Sequence, residues 1–222
     1  MKRKEEIAAR IRFNRVLIIL TSICLLVIGC RVVMTMYEGV VSVFRHDNSE
    51  LIDISRDMTE GIPRLYQWDS RWKHKNYGTS EMEISGCGPT CLSMVYCGLT
   101  GDTTWNPYEV AKMAEERGYY VPGTGTSWDL MTEGAKRLGL GSEQLSLSEQ
   151  TIRSKLEKGH PIICAMGPGD FTTEGHFIVL TGVNEDGQII VNDPNSEKLS
   201  ERTWDLYRLM SQMKNLWCYG VK

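Results

Sequence analysis

Ile84-Ser-Gly-Cys-Gly-Pro-Thr-Cys-Leu-Ser-Met-Val-Tyr96 decides how this 222-residue chain is read. A cysteine sits between two glycines, a proline follows, and an apolar run comes after. Pro89 suits the first turn of a helix, where its missing N–H costs nothing and its φ is already set. Leu92, Val95 and Tyr96 recur at i, i+3, i+4, the spacing of a buried helix face. Cys87 therefore falls at the mouth of a helix, where the positive dipole end stabilises a thiolate and lowers the thiol pKa. That makes Cys87 a candidate nucleophile, and the rest of the chain can be searched for what a nucleophile needs.

Working outward, Gly98 and Gly101 are expected to end this helix. Pro107 to Arg117 reads as a second helix, capped by Asn106 and closed by Gly118. Ser127 to Leu138 reads as a third, ended by Gly139, and Ser148 to Lys158 as a fourth, stopped by Gly159. The character then changes. Pro161 to Met166, His176 to Val183 and Gln188 to Asn192 are rich in Ile and Val and predict strands. Thr203 to Met213 predicts a last helix and Leu216 to Val221 a closing strand. Helices first and antiparallel strands later is an α+β order. On the N-terminal side, Tyr66-Gln-Trp-Asp-Ser-Arg-Trp72 is a dense aromatic segment expected on the domain surface. Residues 46–61 are polar and acid-rich and read as a linker, which puts the domain at 62–222.

Residues 1–15 form a basic flank, and Val16 to Gly29 (VLIILTSICLLVIG) is almost unbroken apolar sequence. This charged-then-apolar order is that of a signal peptide or signal anchor over 16–45. The positive flank predicts a cytoplasmic N-terminus and a body on the outer face of a membrane. Val27-Ile-Gly-Cys30 also resembles a lipobox, so a lipoprotein cleaved at Cys30 is the alternative to an uncleaved anchor. Residues 1–45 hold eight of the 25 Lys and Arg and three of the 28 acidic residues, so the remainder carries about −8. That charge excludes nucleic acid as a partner. Five of the seven cysteines lie outside the leader. An odd number leaves at least one thiol free, and five are too few for a disulfide scaffold of this length.

A nucleophilic cysteine needs a histidine to take its proton and a third group to hold the imidazole. His46 lies in the linker, His74 between two lysines, and His160 before Pro161 at a strand start. His176 opens the apolar run Phe-Ile-Val-Leu-Thr-Gly-Val183, which puts its ring at the end of a buried strand. If Asn184-Glu-Asp-Gly187 is the hairpin turn, His176 falls opposite Asn195 and Asp193 is its diagonal neighbour on the same face. Such neighbours sit ~7–8 Å apart, within reach of an imidazole and a carboxylate. Asn192 points to the other face, and a one-residue slip would exchange the two. An oxyanion needs a second donor beside the helix N–H groups, with Gln67 and Asn76 both available as side-chain amides.

Taken together, Gln67 in Tyr-Gln-Trp-Asp-Ser-Arg-Trp, then Tyr77-Gly78, Gly86-Cys-Gly-Pro-Thr, Gly175-His-Phe-Ile-Val-Leu-Thr-Gly-Val and Val191-Asn-Asp-Pro resemble one family in one order. It is the double-glycine leader peptidase family (cysteine peptidase family thirty-nine), in its stand-alone branch within the papain clan. The resemblance covers about residues 62 to 220 and implies a papain-like α+β fold. It further implies Cys87 as nucleophile, His176 as base, Asp193 as orienter and Gln67 in the oxyanion hole, with no metal and no organic cofactor. The sequence departs from the transporter-linked members, having no multi-span region and no nucleotide-binding domain. The expected substrate therefore stays at a peptide or protein.

Several readings compete. Cys91 is a rival nucleophile, a full turn further into the helix, where buried free cysteine is the common state. Cys87-Gly-Pro-Thr-Cys91 has one residue too many for a Cys-Gly-Pro-Cys redox motif. A zinc site from Cys87, Cys91 and His176 lacks a second cysteine pair. A surface module that binds peptides or wall glycan without turnover needs none of the four site residues. A peptidoglycan endopeptidase would be expected to carry an Asn-Cys-Ser type of motif, absent here.

Overall fold

The computed structural model describes residues 21, 28–31, 33, 34 and 52–221. The expected basic flank and signal anchor fall almost wholly outside these. The few described positions in that segment are helical and exposed. Among the described residues no helix is long and apolar enough to cross a membrane.

The compact unit begins at Ile52, upstream of the start expected at Ile62. Ile54 is fully buried in the core, and the Ile52 carbonyl accepts from Asn106 Nδ2 at 3.3 Å. Arg71 ties the same segment down, donating to the Asp53 carbonyl at 2.9 Å and to Asp57 at 2.6 Å. Two isoleucines in polar sequence give no periodic signal, so this part of the expected linker was invisible as structure.

Four helices matter to the site: α1 (Cys87–Thr100), α2 (Pro107–Glu116), α3 (Glu149–Glu157) and α4 (Leu206–Met210). The main sheet is built from β1 (Leu140–Gln144), β2 (Ile162–Met166), β3 (His176–Val183), β4 (Ile189–Asn192), β5 (Thr203–Trp204) and β6 (Met213–Val221). All pair antiparallel in the order β1-β6-β2-β3-β4-β5. Strand alternation divides the core. Ile163, Ala165, Phe177, Val179, Trp217 and Tyr219 join the cluster around α1 and α2. Ile162, Cys164, Ile178, Leu180, Ile189 and Val191 face the other way, toward Ile152 and Leu156 of α3 and Leu206 and Leu209 of α4. Helices on one side and on the other of an antiparallel sheet give the expected α+β class.

Local chemistry sets most boundaries. Asn106 caps α2 by accepting from the Tyr108 and Glu109 N–H groups at 3.1 Å, with Pro107 at the first position. Ser148 caps α3 through Thr151 N–H. Gly101, at φ +72°, closes α1 with its N–H on the Cys97 carbonyl.

Gly98 does not end α1. It lies inside the helix because the Ile62 segment crosses there, and a Cβ would meet Ile62 Cδ1 at 2.5 Å. The helix expected over Ser127 to Leu138 starts later, as a wide turn over Leu130–Gly134 continued by Ala135–Arg137. Leu130 folds over Gly134, where a Cβ would meet it at 2.6 Å, and Tyr219 Oη donates to the Met131 carbonyl at 3.0 Å. The last expected helix is instead β5, then α4 capped by Asp205, then the long β6. β1 was not expected. Its Leu-Gly-Ser-Glu-Gln lacks an alternating pattern and is extended because β6 pairs with it across five residues. The aromatic segment expected on the surface is split. Trp72 lies in the core with its Nε1 on the Tyr66 carbonyl, while Trp68 stays part exposed.

Candidate active site

The Gly86-Cys87-Gly88 pattern is a response to two close approaches. A Cβ on Gly86 would meet the Met82 carbonyl at 2.4 Å, and one on Gly88 would meet Thr126 at 2.8 Å. Between them Cys87 begins α1, with the dipole of a 14-residue helix behind it. Every α1 residue from Gly88 to Cys97 is buried, so the helix carries its first residue to a groove on a fixed, central axle.

His176 is the first residue of β3, opposite Met166 of β2. Its Nε2 is 2.7 Å from Asp193 Oδ1, and both side chains are nearly inaccessible to solvent. The expected hairpin register holds at this end and fails at the turn. Val183 pairs with Ile189, one residue out, and a bulge at Thr181 restores the expected pairing for Leu180 with Val191 and Val179 with Asn192. That correction gives the carboxylate at 193 to the His176 face. Asn192 turns away and donates to the Ile62 and Pro63 carbonyls at 3.1 Å. Asp193 is itself fixed: its N–H donates to Ser200 Oγ at 2.8 Å, and its Oδ1 also accepts from Asn195 N–H at 2.8 Å.

The electrostatics of the pair agree from both sides. Burial pushes the Cys87 thiol up, but the hydrogen bond to His176, the imidazole charge and the Phe177 and Gly88 N–H groups outweigh it. The thiol is held below its ordinary value. Burial likewise disfavours a charged His176. Its hydrogen bonds to Asp193 and Cys87 win, and the ring is held well above an ordinary imidazole. Together the two shifts favour passage of the thiol proton to the imidazole. Cys91, fully buried one turn further on, is pushed well up by burial and carries no such partner.

Gln67 is buried, and its backbone N–H donates to the Pro194 carbonyl at 2.8 Å. Its side-chain Nε2 donates one hydrogen to the Glu83 carbonyl at 2.6 Å and has a second to offer. Asn76, the competing amide, is exposed on a two-residue strand. Trp68, stacked on Tyr66 at 4.7 Å, donates its Nε1 to the Asn195 carbonyl and so covers the loop that carries Asp193. His160 Nδ1 meets the Tyr219 carbonyl and has a structural place. Among the described residues, His74, Glu81 and Glu83 are the set whose ligand atoms converge, within 4.8 Å of one another, and they lie on the surface.

Cys87 and His176 open into a groove of about 610 Å³. Its walls include Gly123, Thr124 and Gly125 of a hairpin, with Ile84 and Trp128 largely exposed at 70% and 48%. Sequence reasoning missed these walls. The Gly-Thr-Gly run was the available signal, since Gly123 and Gly125 adopt φ of +76° and +95°.

A groove with a thiol at a helix N-terminus and a histidine–carboxylate pair on an adjoining hairpin defines the class of papain-like cysteine peptidase folds. The chain belongs to the Peptidase C39-like family, whose family model matches residues 59–220. Among solved structures it is similar to the peptidase domain of Streptococcus ComA, described as a bifunctional ABC transporter involved in a quorum-sensing pathway. That likeness is at 20% identity and a TM-score of 0.48, over 63% of this chain and 93% of the other. No curated protein matches the chain.

Proposed function

We propose that the chain is a cysteine peptidase that hydrolyses peptide bonds through Cys87, His176 and Asp193. The observation that carries this reading is the His176 ring, hydrogen-bonded to Asp193 at 2.7 Å and lining one groove with Cys87, with the thiol lowered and the imidazole raised.

The Cys87 thiolate attacks the carbonyl carbon of a peptide lying in the groove, and a C–S bond forms as the C=O π pair moves to oxygen. The resulting oxyanion is met by the free N–H at the start of α1 and by the second Gln67 Nε2 hydrogen. His176 then gives its proton to the leaving amine, and the C–N bond breaks to leave a thioester. Water attacks next, losing its proton to His176, and the thiolate is released with the acid product. Asp193 holds the ring so that the nitrogen not bound to it faces the sulfur.

The test is alkylation of the full chain with iodoacetamide near pH 6, mapped by mass spectrometry. Cys87 labels fast and Cys91 does not. His176→Ala slows Cys87 labelling and lowers peptide turnover by about 10²–10⁴-fold. Equal, slow labelling of both cysteines would sink the thiolate–imidazolium pair. Turnover surviving Cys87→Ala would move the nucleophile to Cys91. Peptide or glycan binding by the intact protein without turnover would favour the binding module.

A further inference from the structure

The groove holds a charged side chain that the chemistry above does not use. Lys214 lies where the pairing of β6 with β2 breaks register. Met213 faces Met166 and Asn215 faces Ala165, which leaves Lys214 without a partner in the ladder. A bulge of this kind takes a residue out of strand alternation and re-aims its side chain. Here the side chain reaches the groove that holds Cys87 and His176. Its stem crosses Gly167 so closely that a Cβ at that position would sit 2.3 Å from Lys214 Cε. A side chain at residue 167 would displace it.

Among the described residues Lys214 also has no counter-ion. Some long cations among the described residues find one, Lys155 with Glu143 at 2.6 Å, Lys112 with Glu109 at 2.7 Å and Arg208 with Asp170 at 2.6 Å, while others such as Lys136 and Lys158 do not, and Lys214 is the unpaired cation that lines the groove. Lys214 takes part in none of the ion pairs among the described residues. The one carboxylate in the groove lining, Glu174, is exposed in the loop before His176 and is not paired with it.

We propose that Lys214 is a specificity-determining residue that receives a carboxylate of the bound peptide, so that the groove selects substrates with Asp or Glu, or a nearby chain end, at that position. The proposal rests on the peptidase reading of the site. Three features converge on it: the bulge that aims the ammonium, the glycine that makes room for its stem, and the missing partner that a substrate would supply. Ammonium groups hold carboxylates as point charges with no fixed fork, so Asp and Glu are both accepted.

The experiment measures kcat/KM of the full chain on internally quenched peptides, matched in pairs that differ only by Glu or Gln at one position on either side of the bond. A second set ends in a free carboxylate or an amide. One position favours Glu by up to about fivefold, the upper reach of a solvent-exposed ion pair. The ratio collapses to near one in Lys214→Met, falls in Gly167→Ala, and persists in Glu174→Gln. A preference confined to the free chain end, and lost in Lys214→Met, assigns the carboxylate to the terminus. No acidic preference anywhere, a preference that survives Lys214→Met, or one abolished by Glu174→Gln overturns the proposal. If no peptide is turned over, chloromethyl ketone peptides with Glu or Gln give the same ratio from their rates of adduct formation at Cys87. Failure of these to label a Cys87 that iodoacetamide alkylates removes the peptidase reading, and the proposal with it.

Discussion

At the residue scale, the site rests on two ionisations that lean on each other. His176 is held above an ordinary imidazole and Cys87 below an ordinary thiol, so the reactive pair exists between the two pKa values. For the proposed peptidase, kcat/KM should rise with pH as Cys87 ionises and fall again as His176 loses its proton. Asp193→Ala removes the carboxylate that holds the imidazolium. The His176 value then drops, and the alkaline limb of kcat/KM moves to lower pH. A limb that stays in place would show that Asp193 does not set it. Cys87, His176 and Asp193, which the structure brings together, were legible as residue types at suggestive places. Asp193 over Asn192 was legible only through a pairing argument, and the groove cation at Lys214 was not legible at all, because a bulge has no sequence pattern.

At the element scale, glycines decide how closely the parts approach. Gly88 lets the hairpin around Thr126 lie against the first turn of α1, where a Cβ would be 2.8 Å from Thr126 atoms. Thr126 is buried and shares a hydrogen bond with Tyr77 Oη at 2.9 Å, so it has little freedom to yield. Gly88→Ala should therefore push out the groove wall at Gly123–Gly125 and cost peptide kcat/KM while Cys87 still alkylates readily. Unchanged turnover would show that the wall does not touch substrate. The well-capped helices α2 and α3 were readable because Asn106, Pro107, Ser148 and the closing glycines act within one turn. The stretches from Ser127 and from Thr203 were misread because tertiary partners override local preference there. Tyr219 claims a carbonyl of the wide turn at Met131, and β4 claims Thr203 and Trp204 as a strand.

At the scale of the whole molecule, the compact unit is closed from its N-terminal end by the Ile52–Asp57 segment, clamped through Arg71 and buried through Ile54. Ile54→Ala should cost about 2–5 kcal/mol of unfolding free energy, read by denaturant titration. An unstructured linker at that position would predict no change. We further propose that the basic and apolar N-terminal sequence tethers this unit to the outer face of a membrane. Protease added to intact cells should then remove the body and leave the tether. The mass of the membrane-attached chain should include residues 1–29 for an uncleaved anchor, and should lack them and carry a lipid on Cys30 for a lipoprotein.

The sequence by itself determined the setting of Cys87, because helix start, glycine neighbours and apolar spacing all act within one turn around it. It also determined the helix-then-strand order and the strand that begins at His176, since burial of Ile and Val leaves its mark on composition. Only the tertiary structure decided which residues meet. The bulge at Thr181 hands Asp193 to His176, the bulge at Lys214 turns a cation toward the groove, and pairing with β6 makes a strand of Leu140–Gln144. Each depends on the register between chain segments far apart in sequence, and register is set by the packing of the whole sheet.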